Sequence, residues 1–349
     1  MRNCSPKLGI VASAGALGCR LWCATRVSGS EIAQREHFDG QSDFGGVEFA
    51  ANQKVAMLNR GLAYKVRVVG GAGLFGAALR RVFARPIAAF GECQGFFTDA
   101  VGLEIGGPST IFARRGLFPV YPIANRVDNC NFNAQTIWDS HLEGGPTFCF
   151  HKARPCGTQY FFEATDLSGI ASNSYGFVLS SHALEHVANP LLALTELIRC
   201  LKTDGILALV LPHKEGTFDH RRPVTTLEHL IADFERRTPE SDATHLAEIL
   251  QMHDLSRDPE AGGIDAFTLR ARHNLENRGL HHHVFDTALA VCVVAWGGLQ
   301  ILAVEAMRPY HIFIVAKKLA QGQSPDNQSF TGSRALYRQK SPFASDRRC

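Results

Sequence analysis

The sequence predicts an α/β fold with a doubly wound, mostly parallel sheet of about seven strands, and the stretch from Tyr160 to Pro212 carries the prediction. Two short apolar runs lead to a segment, Pro190–Leu201, whose apolar residues recur at helical spacing. A continuous apolar run, Ile206–Leu211, follows after a turn that contains Gly205. Such runs are typical of parallel strands that are covered on both faces. Because ligands of open α/β sheets bind at the carboxyl ends of the strands, we expect the site at that edge.

The loop and helix inside this stretch carry motifs in a fixed order. Leu184-Glu185-His186 follows the second apolar run, and Arg199-Cys200-Leu201-Lys202 ends the predicted helix just before Gly205. This order resembles the middle of class I S-adenosylmethionine-dependent methyltransferases, and in particular a methyltransferase type 11-like domain. The resemblance covers roughly residues 102–318. It implies a Rossmann-like methyltransferase fold whose last two strands are antiparallel.

A glycine-containing turn follows the first strand that we expect in this region. The segment Val101–Ser109 begins as a short apolar strand, reaches Glu104 and turns at Gly106 and Gly107. Glycines allow the backbone to approach a ligand closely, and a carboxylate can accept hydrogen bonds from it. The resemblance implies that these three residues contact the methionine moiety and ribose of S-adenosylmethionine. Pro108 stands where the family has a small residue, so a differently shaped loop is expected.

Two further acidic residues follow predicted strands. Asp128 comes after an apolar run and could hold both hydroxyl groups of a ribose, as the resemblance implies, or cap a loop. Asp166 and Leu167 resemble the family's strand end that contacts the adenine, although Asp166 could instead cap the turn before Ser168. We therefore expect the carboxylates of Glu104, Asp128 and Asp166 to converge on one bound cofactor.

Candidate catalytic residues lie in the loops after the fourth and fifth strands that the resemblance implies. Methyl transfer to a hydroxyl or amine needs a positioned acceptor and a group that takes its proton. A histidine has an unperturbed pKa of ~6.5 and suits this role, so we select His182 and His220, with Asp219 as an orienting group or base. His186 is expected to pack at the start of the helix.

The predicted function is methyl transfer from S-adenosylmethionine to a small-molecule acceptor at oxygen or nitrogen, with sugar- or glycan-related compounds as one acceptor class. Two alternatives stay open. Gly70, Gly73 and Gly76 resemble the phosphate loop of an NAD(P)-dependent short-chain reductase. A methyltransferase fold that serves as a binding module without catalysis is the other, because Pro108 and Gly176 depart from the family pattern.

The chain divides by composition into several parts. Residues 1–49 show no period and read as a poorly structured leader, and 50–98 read as a helical lead-in. A methyltransferase domain is expected at 99–318, with an insertion at about 238–272. The polar residues 319–349 read as a disordered tail.

Charge and cysteine content set limits on partners. The 349 residues carry 36 Lys and Arg against 33 Asp and Glu, an excess too small to indicate a nucleic acid or an anionic membrane. The 10 cysteines form no Cys-x-x-Cys pair, so free thiols in a cytoplasmic protein are expected. Histidines and acids between 238 and 283 match no metal-binding pattern, and no metal is expected.

Overall fold

The structure, a computed structural model, describes residues 86–136 and 141–347. The predicted leader, most of the helical lead-in and the Gly70–Gly76 loop lie outside the described residues. Within the described part of the lead-in, one short helix, α1 (Ala88–Cys93), precedes the sheet.

The fold is built on a mixed sheet, which has eight strands in the described part of the chain and not about seven. Their bounds are β1 (Val101–Ile105), β2 (Arg126–Asn131), β3 (Gly145–Phe148), β4 (Gly157–Phe161), β5 (Tyr175–Ser181), β6 (Leu201–Pro212), β7 (Gln300–Met307) and β8 (His311–Lys317). The spatial order is β3-β4-β2-β1-β5-β6-β8-β7. The five strands from β4 to β6 in this order are parallel, whereas β8 is antiparallel to both β6 and β7. The predicted α/β class and the antiparallel final pair are therefore confirmed.

The additional strand, β3, lies at one edge and pairs antiparallel with β4. The structure also joins Cys149 to Cys156 in a disulfide across the loop between these two strands. The expectation of free thiols is thus wrong for this pair, while Cys93, Cys130, Cys200 and Cys292 are free.

Helices and loops cover both faces of the sheet, as a doubly wound fold requires. The helices that follow α1 are α2 (Pro190–Cys200), α3 (Leu227–Arg236), α4 (Leu246–Met252), α5 (Ile264–Arg272), α6 (Asn274–Asn277), α7 (Thr287–Trp296), α8 (Gln328–Thr331) and α9 (Leu336–Lys340). One core lies between the sheet and α2, α3 and α7. The other lies under α1 and the turns between β1 and β2, where Phe97, Phe112, Phe118 and Phe177 are fully buried.

Local sequence explains where α2 begins and how β6 starts. Asn189 caps α2 by accepting a hydrogen bond from the Leu192 amide, and Pro190 occupies the first turn, where its missing N–H costs nothing. The turn predicted at Thr203–Gly205 lies inside the bounds of β6, as an irregularity in its pairing with β5. Asp204 has a φ of 63°, so a non-glycine residue takes the left-handed conformation there.

The segment after Lys318 is folded, and the prediction of a disordered tail is wrong for residues 319–347. Ala335 and Tyr337 belong to the main core, and Phe343 is 1% exposed. Asp346 accepts hydrogen bonds from the hydroxyl groups of Thr287 and Ser341. The polar composition concealed a few apolar anchors that dock against α7 and β7. Among the described residues, no helix is both long and apolar enough to cross a membrane.

Candidate functional site

A cavity of about 330 Å³ lies at the carboxyl ends of four neighbouring parallel strands, β4, β2, β1 and β5. This size is in the range of small-molecule sites, and the position is the one where open α/β sheets bind ligands. Its lining comprises Ile105 to Thr110, Cys130 to Phe132, Thr136, Phe162 to Ala164, Ser181 to Ala183, His186, Val187, Glu240 and Arg278. The sheet thus brings four loops together around one ligand-sized space.

The turn after β1 forms one wall of the cavity, and the structure places both predicted glycines there. Gly106 has a φ of +76°, a conformation that favours glycine. A Cβ on Gly107 would lie 2.5 Å from Glu104 Oε2 and 2.7 Å from Asn129 Oδ1, so a side chain has no room. The Gly107–Pro108 peptide bond is cis. These two glycines keep the loop backbone against the strand ends.

Buried amide side chains on β2 and β4 hold this loop, and the sequence prediction missed them. Asn129 Oδ1 accepts from the Gly107 amide at 3.0 Å, and Asn129 Nδ2 lies 3.1 Å from the Gly107 carbonyl oxygen. Asn131 Nδ2 donates to the same carbonyl at 3.2 Å. Gln159 Oε1 accepts from Asn129 Nδ2, and Gln159 Nε2 donates to Asn131 Oδ1. The position of the loop is therefore set by a hydrogen-bonded amide group.

Glu104 lies beneath the loop and is 0% exposed. Its carboxylate accepts hydrogen bonds from the Tyr121 hydroxyl at 2.5 Å and from the Ser109 amide at 3.0 Å. Burial raises the pKa of Glu104 to about 8, although these two hydrogen bonds lower it. The structure thus gives Glu104 a place in supporting the glycine turn, since it does not line the cavity as described.

The structure places Asp128, Asp166 and Leu167, for which cofactor contacts were expected, outside the described lining of the cavity. Strand β2 continues past Asp128 to Asn131, and Asp128 accepts hydrogen bonds from the Tyr175 hydroxyl and the Thr158 amide, away from the cavity. Asp166 is exposed and caps a turn by accepting from the Ser168 amide, which was the alternative stated for it. Leu167 is fully buried in the core. The three expected carboxylates do not converge on the cavity.

A different acidic residue stands in the cavity wall at the end of β4. Glu163 lines the cavity and accepts from Arg278 Nη2, and Arg278 also forms an ion pair with Glu240 at 3.4 Å. The Arg278 guanidinium lies over the Phe132 ring, 5.4 Å from its centre. Burial raises the pKa of Glu240 to about 7, while Arg278 lowers it. Glu163 directly follows the aromatic run that ends β4, and this position in the sequence could have indicated that Glu163 lies at the strand end.

Histidines form the wall at the end of β5. His182 lines the cavity with a φ of 52°, and its Nε2 lies 2.9 Å from His311 Nδ1. Its Nδ1 lies 3.5 Å from Oε1 of Glu185, a carboxylate that is 1% exposed. His186 also lines the cavity, rather than only packing as expected, and burial lowers its pKa to about 4. Of the predicted catalytic residues, His182 alone lies in the described cavity wall.

Asp219 and His220 are engaged in ion pairs elsewhere. Asp219 is 2% exposed and contacts Arg222 at 2.9 Å and His281 at 2.5 Å. Burial alone would raise its pKa, but the charges of His281 and Arg222 lower the pKa of Asp219 to about 2. His220 pairs with Asp254 at 2.8 Å. Neither residue belongs to the described lining, and both hold the loop after β6 through these ion pairs.

Part of the chain is similar in sequence to known methyltransferases. Residues 152–209 match a family model described as a methyltransferase domain. Solved methyltransferases that depend on S-adenosylmethionine are similar in structure. Those from Aquifex aeolicus, Mesorhizobium loti and Methanosarcina mazei have 11%, 12% and 19% sequence identity and TM-scores of 0.36, 0.38 and 0.36. The alignments cover 66%, 66% and 64% of this chain and 89%, 95% and 94% of the other chains. No curated protein matches the sequence.

The matched segment is similar to a methyltransferase domain, and the observed α/β sheet with its antiparallel final pair is the fold that the resemblance to class I S-adenosylmethionine-dependent methyltransferases implies. S-adenosylmethionine is the cofactor of this class. The residues at the cavity fit such a ligand: two glycines expose backbone, and Asn131 and Glu163 bring polar groups to adjacent strand ends. The β2 end has an amide where the resemblance implied a carboxylate.

Proposed function

We propose that this protein transfers the methyl group of S-adenosylmethionine to a small-molecule acceptor at an oxygen or nitrogen atom. The observation that supports the proposal is the cavity at the ends of four parallel strands, with its glycine turn and polar rim. Gly106 and Gly107 would hold the methionine moiety, Asn131 would contact the ribose and Glu163 would contact the adenine. His182 then lies at the strand end left for the acceptor.

The bound cofactor supplies an electrophilic methyl group, so the protein must orient the acceptor and remove its proton. His182 is placed to receive that proton. Its Nδ1–H faces the Glu185 carboxylate, and Nε2, which lies 2.9 Å from His311 Nδ1, would take the proton once the bound acceptor displaces that contact. Burial lowers the pKa of His311 to about 3, which keeps that ring neutral and able to accept. Glu185 therefore stabilises the charged form of His182 during the reaction.

Cofactor binding tests the proposal directly. Calorimetry with S-adenosylhomocysteine should show binding to the wild-type chain, and Gly107→Ala should weaken it by more than about tenfold, or about 1.4 kcal/mol. The physical reason is that the new Cβ displaces Glu104 or Asn129 from beneath the loop. Gly91→Ala is the matched control, because a Cβ there meets nothing within 4 Å. No heat with the wild-type protein would remove the proposal.

Two further measurements separate the alternatives. Binding of NADH or NADPH in place of S-adenosylhomocysteine would favour the reductase. The binding-module alternative is tested by incubating the protein with methyl-labelled S-adenosylmethionine and a panel of hydroxyl and amine acceptors. Transfer of label to an acceptor would exclude that alternative. His182→Ala should lower the transfer rate by roughly 10²–10⁴-fold and leave S-adenosylhomocysteine affinity unchanged. Unchanged transfer by this variant would exclude His182 as the base.

A further inference from the structure

Three histidines and an aspartate outside the described cavity lining lie close together, and we propose that they bind a divalent metal ion, with Zn²⁺ as the best match. The histidine cluster consists of His229 and Asp233 on α3, His245 directly before α4, and His283 before α7. One ring nitrogen from each histidine lies within 4.8 Å of the others. Residues that are distant in the chain thus place their ring nitrogens close together.

The distances within the cluster are close to those of a metal shell. His229 Nε2 lies 3.1 Å from His245 Nε2 and 3.1 Å from Asp233 Oδ2. In a tetrahedral site with Zn–N bonds of ~2.0–2.1 Å, neighbouring ligand atoms are roughly 3.3 Å apart. His283 Nε2 is 3.9 Å from Asp233 Oδ2, and the ligand atom would be Nδ1 of the same ring, so the His283 ring has to shift to bring Nδ1 to the ion. His229 and His245 are half-buried and therefore have room to move.

His283 provides a second, independent observation. The residue is 1% exposed, and its Nε2 lies 3.1 Å from the Ala188 carbonyl oxygen, to which it can donate only as Nε2–H. In that tautomer Nδ1 carries a lone pair, and among the described residues no hydrogen-bond partner faces it. A buried polar atom without a partner is costly unless something else satisfies it. A bound cation is one such partner.

The carboxylate in the cluster is oriented by its other oxygen. Asp233 Oδ1 accepts hydrogen bonds from the Thr238 hydroxyl at 2.9 Å and from Arg236 at 3.2 Å, which leaves Oδ2 facing the histidines. Supporting contacts of this kind fix the geometry of metal ligands. Three imidazoles and one carboxylate are a donor set that suits Zn²⁺.

A second group of potential ligands, Glu185, His186 and His281, is less suitable. His281 Nδ1 is already held by Asp219 at 2.5 Å, and Glu185 faces His182 at 3.5 Å. A metal there would have to displace the pairs that hold the wall of the cavity. The histidine cluster therefore remains the better site, and an ion in it would tie α3, α4 and the segment before α7 together.

The proposal is tested by metal content and by visible spectroscopy on the full chain without a histidine tag. The stripped protein is incubated with ZnSO₄, dialysed and analysed by mass spectrometry for bound zinc; about one equivalent is expected. His229→Ala, His245→Ala and the double variant should lose that equivalent. His273→Ala is the matched control, because this exposed histidine lies outside the cluster. Co²⁺ in place of Zn²⁺ should show the intense visible bands of a tetrahedral site, absent in the double variant.

Several results would overturn the proposal. One is wild-type protein that retains no zinc after dialysis. Another is a double variant that retains as much zinc as the wild type, since the ion would then be held elsewhere in the chain. Far-ultraviolet circular dichroism of each variant verifies its fold. If the double variant fails to fold, the Co²⁺ spectrum of the wild type and of the single variants decides, and a weak octahedral spectrum counts against the site. None of these measurements depends on methyl transfer.

Discussion

At the scale of a single residue, Glu104 beneath the glycine turn makes the stability of the fold depend on pH. The unfolded chain releases the Glu104 proton near pH 4.5, whereas burial keeps it on the folded protein up to about pH 8. Between these values the folded state binds more protons than the unfolded state. The free energy of unfolding therefore falls as the pH rises, by up to about 1.4 kcal/mol per pH unit from this residue.

Glu104→Gln should remove that dependence. The variant has no proton to lose, and its amide oxygen can still accept from the Ser109 amide while its amide nitrogen donates to the Tyr121 hydroxyl oxygen. Urea unfolding at several values between pH 5 and pH 8 should give a shallower decline of the free energy of unfolding for the variant than for the wild type. Glu143→Gln, at an exposed position, serves as the control and should keep the wild-type slope. Equal slopes in all three proteins would show that Glu104 is ionised in the folded state at neutral pH.

The residue scale is also where prediction from sequence was weakest. Side chains alternate between the two faces of a strand, so Asn129 and Asn131 share one face of β2 and Asp128 lies on the other. The strand was predicted to end three residues too early. The prediction therefore selected Asp128, which accepts a hydrogen bond from Tyr175, in place of Asn131, which lines the cavity. Nothing local in the sequence marks this end, because it is set by pairing with β1 and β4.

At the scale of elements, apolar spacing was a sound guide. The helix predicted at Pro190–Leu201 is observed at Pro190–Cys200, and the strand predicted at Ile206–Leu211 lies within β6, Leu201–Pro212. These elements have long apolar periods and clear end signals, such as Asn189 before Pro190. Strand β3 was not predicted, since it has two exposed residues and forms by pairing with β4.

Arg222 connects several elements of the fold, although the sequence around it shows only a charged loop. It is 1% exposed, pairs with Asp219 and with Glu248 of α4, and donates to the carbonyl oxygens of His281 and His282. Asp219→Ala would leave this buried charge without a main partner. Removing one member of a buried pair costs roughly 3–5 kcal/mol.

Thermal or urea unfolding of Asp219→Ala should show a loss of that size. Asp166→Ala, which removes an exposed turn cap, is the control and should cost no more than about 1 kcal/mol. A variant that unfolds like the wild type but fails in methyl transfer would restore the catalytic role that the sequence suggested for Asp219.

At the scale of the whole molecule, the C-terminal segment completes the core. Residues 319–347 run along α7 and β7 and end at Asp346, which is 2% exposed and lies 3.4 Å from His213. The His213 ring stacks on Phe343 with centres 3.8 Å apart. His213 sits directly after β6, so the end of the chain supports the same sheet edge that forms the cavity. Composition alone predicted disorder here, because the segment has few apolar anchors and the partners that hold them, such as His213 for Phe343, are distant in sequence.

Asp346→Ala should therefore destabilise the whole fold and not only its own segment. The change leaves the buried hydroxyl groups of Thr287 and Ser341 without their acceptor, at a cost of roughly 1–3 kcal/mol. Circular dichroism should show one unfolding transition at a lower melting temperature than in the wild type. The melting temperature should also be lower than that of the wild type when both proteins are bound to S-adenosylhomocysteine. Asp326→Ala is the matched control, an exposed aspartate in the same segment that caps the Gln328 amide, and should change stability by about 0.5 kcal/mol or less. If Asp346→Ala melts at the wild-type temperature, the segment is docked without contributing to the core, and the disordered-tail prediction would describe its energetics after all.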